Sequence, residues 1–108
     1  MWKLWLDDQV YSGLARRAAP EGFLSADSVE SAKDLVRQFG PPEEMSLDHD
    51  LGGEDVVSFL HWLEGFVNFE RAYGNLLPPP IYRVHSENPV GSKRIISFME
   101  TWRKGVGE

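Results

Sequence analysis

The chain has 108 residues, a length that fits one domain with its own core and leaves no room for a second lobe. It is 42% hydrophobic and 26% charged, which is ordinary for a folded domain and excludes intrinsic disorder. No apolar run approaches the roughly 18–20 residues of a membrane span. The absence of cysteine excludes disulfides, thiolate catalysis and cysteine zinc sites. We therefore expect a single cytoplasmic domain over residues 1–108, without a secretory signal.

The net charge of −6 is unevenly distributed along the chain. Residues 1–54 carry 11 acidic and 5 basic side chains, whereas residues 55–108 carry 6 of each. A protein that coats long nucleic acids needs a basic face that displaces counterions, and this sequence has no such excess. We expect no binding to long nucleic acids or membranes. A small anionic ligand fits if a metal ion or a helix N-terminus supplies positive charge.

Short apolar runs alternate with stretches of helical periodicity. The predicted strands are residues 3–6, 23–26, 44–47 and 81–84. The predicted helices are residues 29–39, residues 54–73 and the segment from 89 onward. Val10, Leu14 and Ala18 form a short apolar stripe that is compatible with a further helix. This alternation predicts an α/β fold, with a parallel sheet of about four strands and helices on both faces.

Capping residues and apolar stripes define the predicted helices more closely. Asp27 or Ser28 is expected to cap the first helix, with Glu30 at the third position after Asp27, and Gly40 ends it. The predicted buried positions are Val29, Ala32, Leu35, Val36 and Phe39 in the first helix, Val56, Leu60, Leu63 and Val67 in the second, and Val90, Ile95, Met99 and Trp102 in the last.

Polar side chains directly follow three of the four predicted strands. They form the segments Asp7-Asp8, Asp48-His49-Asp50 and His85-Ser86-Glu87-Asn88. In open α/β sheets, ligands bind at the carboxyl ends of the strands. This coincidence is the strongest functional signal in the sequence.

The acidic residues predict a site for a hard cation such as Mg²⁺, which oxygen ligands bind. Asp7 and Asp8 follow the first strand, and Asp48 is best placed in the next acidic loop to face the metal. Asp50 is either a further ligand or the group that orients His49. The alternative is structural, because a paired aspartate also caps a helix or stays solvated.

The last polar loop predicts an anion site. Ser86 and the N-terminus of the following helix, which Asn88 can cap, offer hydrogen-bond donors to a phosphate. Gly91 permits close approach, and Lys93 adds positive charge. A well-capped helix explains Asn88 by itself but does not explain Ser86 or the histidine before it.

The histidines divide by position. His49 and His85 lie at neighbouring strand ends, where two imidazoles can act as general acid and base in phosphodiester cleavage. His61 lies within the long apolar helix, and we interpret it as structural.

Three segments together resemble the cyclic-phosphate-processing receiver domain family. Members of this family are compact relatives of response-regulator receiver domains. The segments are LWLDD at residues 4–8, SLDHDLG at residues 46–52 and HSENPVG at residues 85–91. The resemblance spans nearly the whole chain and implies a three-layer, flavodoxin-like fold that has lost part of the usual receiver.

The resemblance also implies roles for particular residues. Receivers hold Mg²⁺ with an acidic pair after the first strand and an aspartate after the third, which would be Asp7, Asp8 and Asp48 here. Ser86 matches the receiver hydroxyl residue, whereas the receiver lysine has no counterpart because no fifth strand is predicted. The histidines imply the activity proposed for the family, the processing of cyclic phosphates at RNA ends.

The leading hypothesis is a Mg²⁺-assisted phosphoesterase that acts on a 2',3'-cyclic nucleotide or RNA end. The assigned residues are His49, His85 and Asp48 for catalysis, Ser86, Asn88, Gly91 and Lys93 for phosphate binding, and Asp7, Asp8, Asp48 and Asp50 for the metal. The alternative is a degenerate receiver that binds a nucleotide or a partner protein without catalysis. A Toprim-like acidic loop ranks last, because Toprim domains carry a glutamate after the first strand where this chain has two aspartates.

Overall fold

A four-stranded parallel sheet, a two-stranded antiparallel ladder and three helices make up the described part of the molecule. The computed structural model describes residues 2–7, 20–48, 50–51, 54–72, 74, 78–85 and 89–105. In chain order the elements are β1 (Lys3–Leu6), β2 (Phe23–Ala26), α1 (Val29–Phe39), β3 (Glu44–Leu47), β4 (Asp50–Leu51), β5 (Glu54–Asp55), α2 (Val56–Ala72), β6 (Ile81–Val84) and α3 (Pro89–Gly105). The four predicted strands and the α/β class are confirmed.

The strand order places β1 and β3 at the centre of the sheet. The order is β2-β1-β3-β6, and every pairing is parallel. Leu6, at the end of β1, pairs with Leu47 at the end of β3, which pairs in turn with Val84 at the end of β6. The residues that follow these three strands therefore leave the sheet at the same level.

One face of the sheet forms the core with the three helices. Side chains alternate between the two faces of a strand, and Leu4, Leu6, Met45 and Leu47 are fully buried on the same face. They join the buried residues of α1, α2 and α3 in a single cluster. The helix compatible with Val10, Leu14 and Ala18 falls in residues 8–19, outside the described residues.

A tyrosine ties α3 to the edge strand β6. The Tyr82 hydroxyl donates a hydrogen bond to Glu100 Oε2 at 2.8 Å. Burial raises the pKa of Tyr82, and the hydrogen bond and negative charge of Glu100 raise it further, against a smaller opposite effect of Arg103. The phenol therefore keeps its proton, and its hydrogen bond to Glu100, to a higher pH than an ordinary tyrosine would.

The ends of α1 differ in one detail from the expected capping. Ser28 is the N-cap, and its side chain accepts a hydrogen bond from the backbone N–H of Ser31 at 3.1 Å. In return, the Ser31 hydroxyl accepts a hydrogen bond from the backbone N–H of Ser28 at 3.1 Å. Of the two expected caps, Ser28 is therefore confirmed, and the pairing of Asp27 with Glu30 is wrong. Gly40 ends the helix with φ +81°, as predicted from its freedom to adopt positive φ.

Replacing the cap, Ser28→Ala, is expected to lower the free energy of unfolding by about 1 kcal/mol, because it leaves an N–H of the first turn without its partner. Urea unfolding followed by circular dichroism measures the change. Ser97→Ala, in the exposed interior of α3, is the matched control and should leave stability within about 0.5 kcal/mol of wild type. Equal effects of the two changes would contradict the capping role.

Three further local predictions were wrong. Phe39 and Val90 were expected in the core, but they are 51% and 69% exposed. Phe39 is the last residue of α1 and packs against Trp2, with ring centroids 6.1 Å apart, whereas Val90 lies in the first turn of α3. The helix expected from residue 54 begins at Val56, because residues 54–55 pair with 50–51 in a small antiparallel ladder.

Among the described residues, no helix is long and apolar enough to cross a membrane.

Candidate functional site

Asp7, Asp48 and His85 are the first residues after β1, β3 and β6. The backbone N–H of each donates to the carbonyl of the last residue of the neighbouring strand, at 2.9–3.0 Å. These bonds extend the parallel ladders by one residue beyond the strands. The sheet therefore fixes the backbone of all three residues, side by side, at its carboxyl edge.

Both aspartates of this edge are buried. Asp7 is 0% exposed and Asp48 is 6% exposed. Removing a carboxylate from water is costly, and aspartate is rarely fully buried unless it is paired. Asp7 is paired with a histidine, because its Oδ2 lies 3.1 Å from Nε2 of His85. Their burial excludes the alternative that Asp7 and Asp48 stay solvated, and it makes this edge of the sheet the candidate site.

Among the described residues, Asp7, Ser46 and Trp5 contact the imidazole of His85. Nε2 faces Asp7 Oδ2, and Nδ1 lies 2.8 Å from the hydroxyl oxygen of Ser46 on β3. The ring stacks on Trp5 of β1, with centroids 4.1 Å apart and planes inclined by 6°. His85 therefore reaches across the central strand β3 to β1, with its side chain 17% exposed.

Asp7 and Asp48 fit a magnesium site by the chemistry of their donors. Adjacent parallel strands lie about 4.8 Å apart, and carboxylate oxygens are the ligands that hard cations prefer. Among the described residues, no three acidic, histidine or cysteine side chains form a metal cluster. Asp8 and the side chain of Asp50 lie outside the described residues, so the four-aspartate metal site stays a prediction.

The predicted phosphate-binding residues are described only in part. Ser86 and Asn88 lie outside the described residues, as does the catalytic candidate His49. Gly91 is buried in the first turn of α3, and Lys93, two residues further on, is exposed. Helix α3 begins only four residues after His85, as the predicted anion site requires. The anion site itself stays a prediction.

Lys93 also lines a groove between α2 and α3. The groove has a volume of about 660 Å³, and its walls include Val57, Phe98 and Trp102. His61 is exposed at this groove and packs edge-to-face on Phe98 at 4.6 Å, and its structural role stays a prediction.

Ser46 and Trp5 are site residues that the sequence analysis missed. A usable signal exists in the strand period of two, since Trp5 lies two residues before Asp7 and Ser46 two residues before Asp48. Each therefore shares a sheet face with the acid that follows it. Recognising their contact with His85 also requires the strand order, which the sequence pattern does not specify.

The arrangement defines a receiver-like α/β domain of the flavodoxin type, with buried acids after two central strands and a histidine after the edge strand. The family model described as the cyclic-phosphate processing receiver domain matches residues 2–101. The chain belongs to this family, which confirms the resemblance and the fold class. No curated protein and no solved structure matches the chain.

Proposed function

We propose that this domain is a metal-assisted phosphoesterase that hydrolyses a cyclic phosphate, such as a 2',3'-cyclic nucleotide or RNA end. The observation that carries the proposal is the pair of buried carboxylates, Asp7 and Asp48, side by side at the ligand-binding edge of the sheet. Membership of a family named for cyclic-phosphate processing supports the substrate class.

In this proposal the acids hold Mg²⁺ and a strand-end histidine moves protons. Asp7 and Asp48, with Asp8 and Asp50, would bind the ion. When bound, it would supply positive charge to a phosphoryl oxygen and lower the pKa of a coordinated water. Hydrolysis forms one P–O bond from water and breaks one P–O bond of the ring, and the released ribose oxygen takes up a proton. His49 and His85 are the two candidates for this proton transfer.

The phosphate would lie at the N-terminus of α3. Helix N-termini attract anions through free backbone N–H groups and the helix dipole. Ser86, Asn88, Gly91 and Lys93 are the proposed contacts, and Gly91, which has no side chain beyond Cα, is buried there. The net charge of −6 favours a short substrate over a long RNA, because a long RNA would need a basic face to bind its phosphates. Cytoplasmic residence and a protein partner likewise stay predictions.

The proposal is tested by incubating the protein with 2',3'-cyclic AMP, and with a short RNA that ends in a 2',3'-cyclic phosphate, in Mg²⁺ or in chelator. Phosphorus NMR follows the loss of the cyclic phosphate and identifies the 2' or 3' monoester that forms. We expect ring opening in Mg²⁺ and none in chelator.

Failure to turn over either substrate would contradict the phosphoesterase. If cyclic AMP or Mg²⁺ nevertheless shifted the amide resonances of Asp7, Asp48 and His85, the alternative of a non-catalytic receiver that binds nucleotides would be favoured. Phosphorylation of Asp48 by a small phosphodonor would likewise favour that alternative.

A further inference from the structure

We propose that His85 is a positioning residue that orients the Asp7 carboxylate, with Ser46 and Trp5 holding the imidazole in place. On this proposal, which rests on the proposed function, His85 exchanges no proton with the substrate. That task falls to the other strand-end histidine, His49. The roles of the two histidines, which are equivalent in the sequence pattern, therefore differ.

The hydrogen bonds of His85 define its donor and acceptor atoms. Nε2 lies 3.1 Å from a carboxylate oxygen, which only accepts, so Nε2 carries a proton and donates it to Asp7. The hydroxyl of Ser46, 2.8 Å from Nδ1, can donate to a neutral ring or accept from a protonated one. In either state the Nε2–H donates to Asp7. The chain Ser46–His85–Asp7 thus delivers one N–H to one carboxylate oxygen.

Packing prevents the ring from leaving this geometry. Trp5 covers one ring face at 4.1 Å in a nearly parallel stack, and the hydroxyl of Ser46 belongs to a residue that is only 4% exposed. A ring flip would place a carbon where each hydrogen-bonded nitrogen lies. A general acid or base needs a nitrogen that reaches the substrate, whereas both nitrogens of His85 contact protein groups.

The consequence is a carboxylate of fixed orientation. Asp7 is fully buried, and the bond from His85 selects Oδ2 as the oxygen that faces β6. Groups that hydrogen-bond to metal ligands typically change metal affinity or activity by about 10–100-fold when they are removed. We therefore expect His85 to act on Mg²⁺ binding through Asp7.

The test compares His85→Ala with His85→Gln. The glutamine amide N–H₂ can replace the Nε2–H donor but cannot act as an acid or base. Titration calorimetry with Mg²⁺ alone should show affinity weakened about 10–100-fold in His85→Ala and restored to within a few-fold of wild type in His85→Gln. His61→Ala is the matched control, because it removes an imidazole from the groove between α2 and α3. This variant should bind Mg²⁺ like wild type.

Turnover of 2',3'-cyclic AMP then separates positioning from proton transfer. His85→Gln should keep most of the wild-type rate, whereas His85→Ala should not. A His85→Gln variant that binds Mg²⁺ normally but is as inactive as His85→Ala would overturn the proposal, because only proton transfer would then be missing. Wild-type protein that binds no Mg²⁺ would overturn it as well.

Ser46→Ala tests the serine end of the series of hydrogen bonds that links Ser46, His85 and Asp7. We expect the ¹⁵N chemical shifts of a neutral His85 ring to report the Nε2–H tautomer in wild type. The same tautomer should persist in Ser46→Ala, because the Asp7 carboxylate still accepts from Nε2, and only the Nδ1 resonance should move as that nitrogen loses the Ser46 hydroxyl. An Nδ1–H tautomer in wild type would overturn the proposal. Ser25→Ala, on the neighbouring strand β2, should leave these shifts unchanged. Because tautomer and Mg²⁺ affinity are measured without substrate, an inactive wild-type protein with the expected pattern would refute the phosphoesterase and leave the positioning role standing.

Discussion

Asp48→Asn is expected to lower Mg²⁺-dependent turnover by about 10²- to 10⁴-fold while the domain stays folded. A bound metal stabilises transition-state charge by several kcal/mol, and each 1.36 kcal/mol corresponds to about a tenfold change in rate. Asparagine keeps the shape of the 6% exposed side chain but removes the charge that would face the ion. The initial rate on 2',3'-cyclic AMP measures the loss, and thermal unfolding verifies the fold.

Asp34→Asn is the matched control for this change. It removes the same charge from an exposed position on α1, where the side chain is 71% exposed and pairs with Arg37. Its turnover should equal that of wild type. An Asp48→Asn variant that is folded and fully active would remove Asp48 from the site, and an equal loss in both variants would indicate a net-charge effect.

The strands were predictable because each is a short apolar run with a clear stop. Residues 3–6 end at the acidic pair and residues 44–47 at Asp48, and both ranges agree with the structure. The helix ends were predictable where a special residue lies, as Gly40 illustrates with its positive φ. Local chemistry therefore specified most of the elements before any tertiary contact was known.

Burial at helix ends was less predictable, since periodicity extends the core stripe to positions that the neighbouring elements do not cover. Phe39 and Val90 are in phase with their stripes, yet each lies in a terminal turn and remains exposed. The small ladder of residues 50–51 with 54–55 gave no signal, because two-residue strands are too short for an alternation pattern.

The candidate site was likewise predictable only in part. The carboxyl-edge position of Asp7, Asp48 and His85 followed from the alternation of strands and helices alone. The contact of His85 with Ser46 and Trp5 depends on β3 lying between β1 and β6, which is a property of the strand order. Side chains from three separate segments meet there, so no single stretch of sequence contains the information.

Phe59→Ala is expected to lower the free energy of unfolding by about 3–5 kcal/mol, the range typical of a buried phenylalanine. Phe59 is fully buried in the core cluster on α2, where its ring lies 6.2 Å from that of Trp62. The change removes the transfer free energy of the ring and leaves a cavity between helix and sheet. Small domains are stable by about 5–15 kcal/mol, so the variant would lose a large share of its stability.

Phe69→Ala, on the same helix, provides the matched comparison because its side chain is 61% exposed. Surface substitutions usually change stability by no more than about 0.5 kcal/mol. In urea unfolding, Phe59→Ala should move the midpoint far below that of Phe69→Ala, with a similar slope, since both variants expose a similar surface on unfolding. Coincident midpoints would mean that Phe59 is not buried in the core cluster, and the packing of α2 described above would then be wrong.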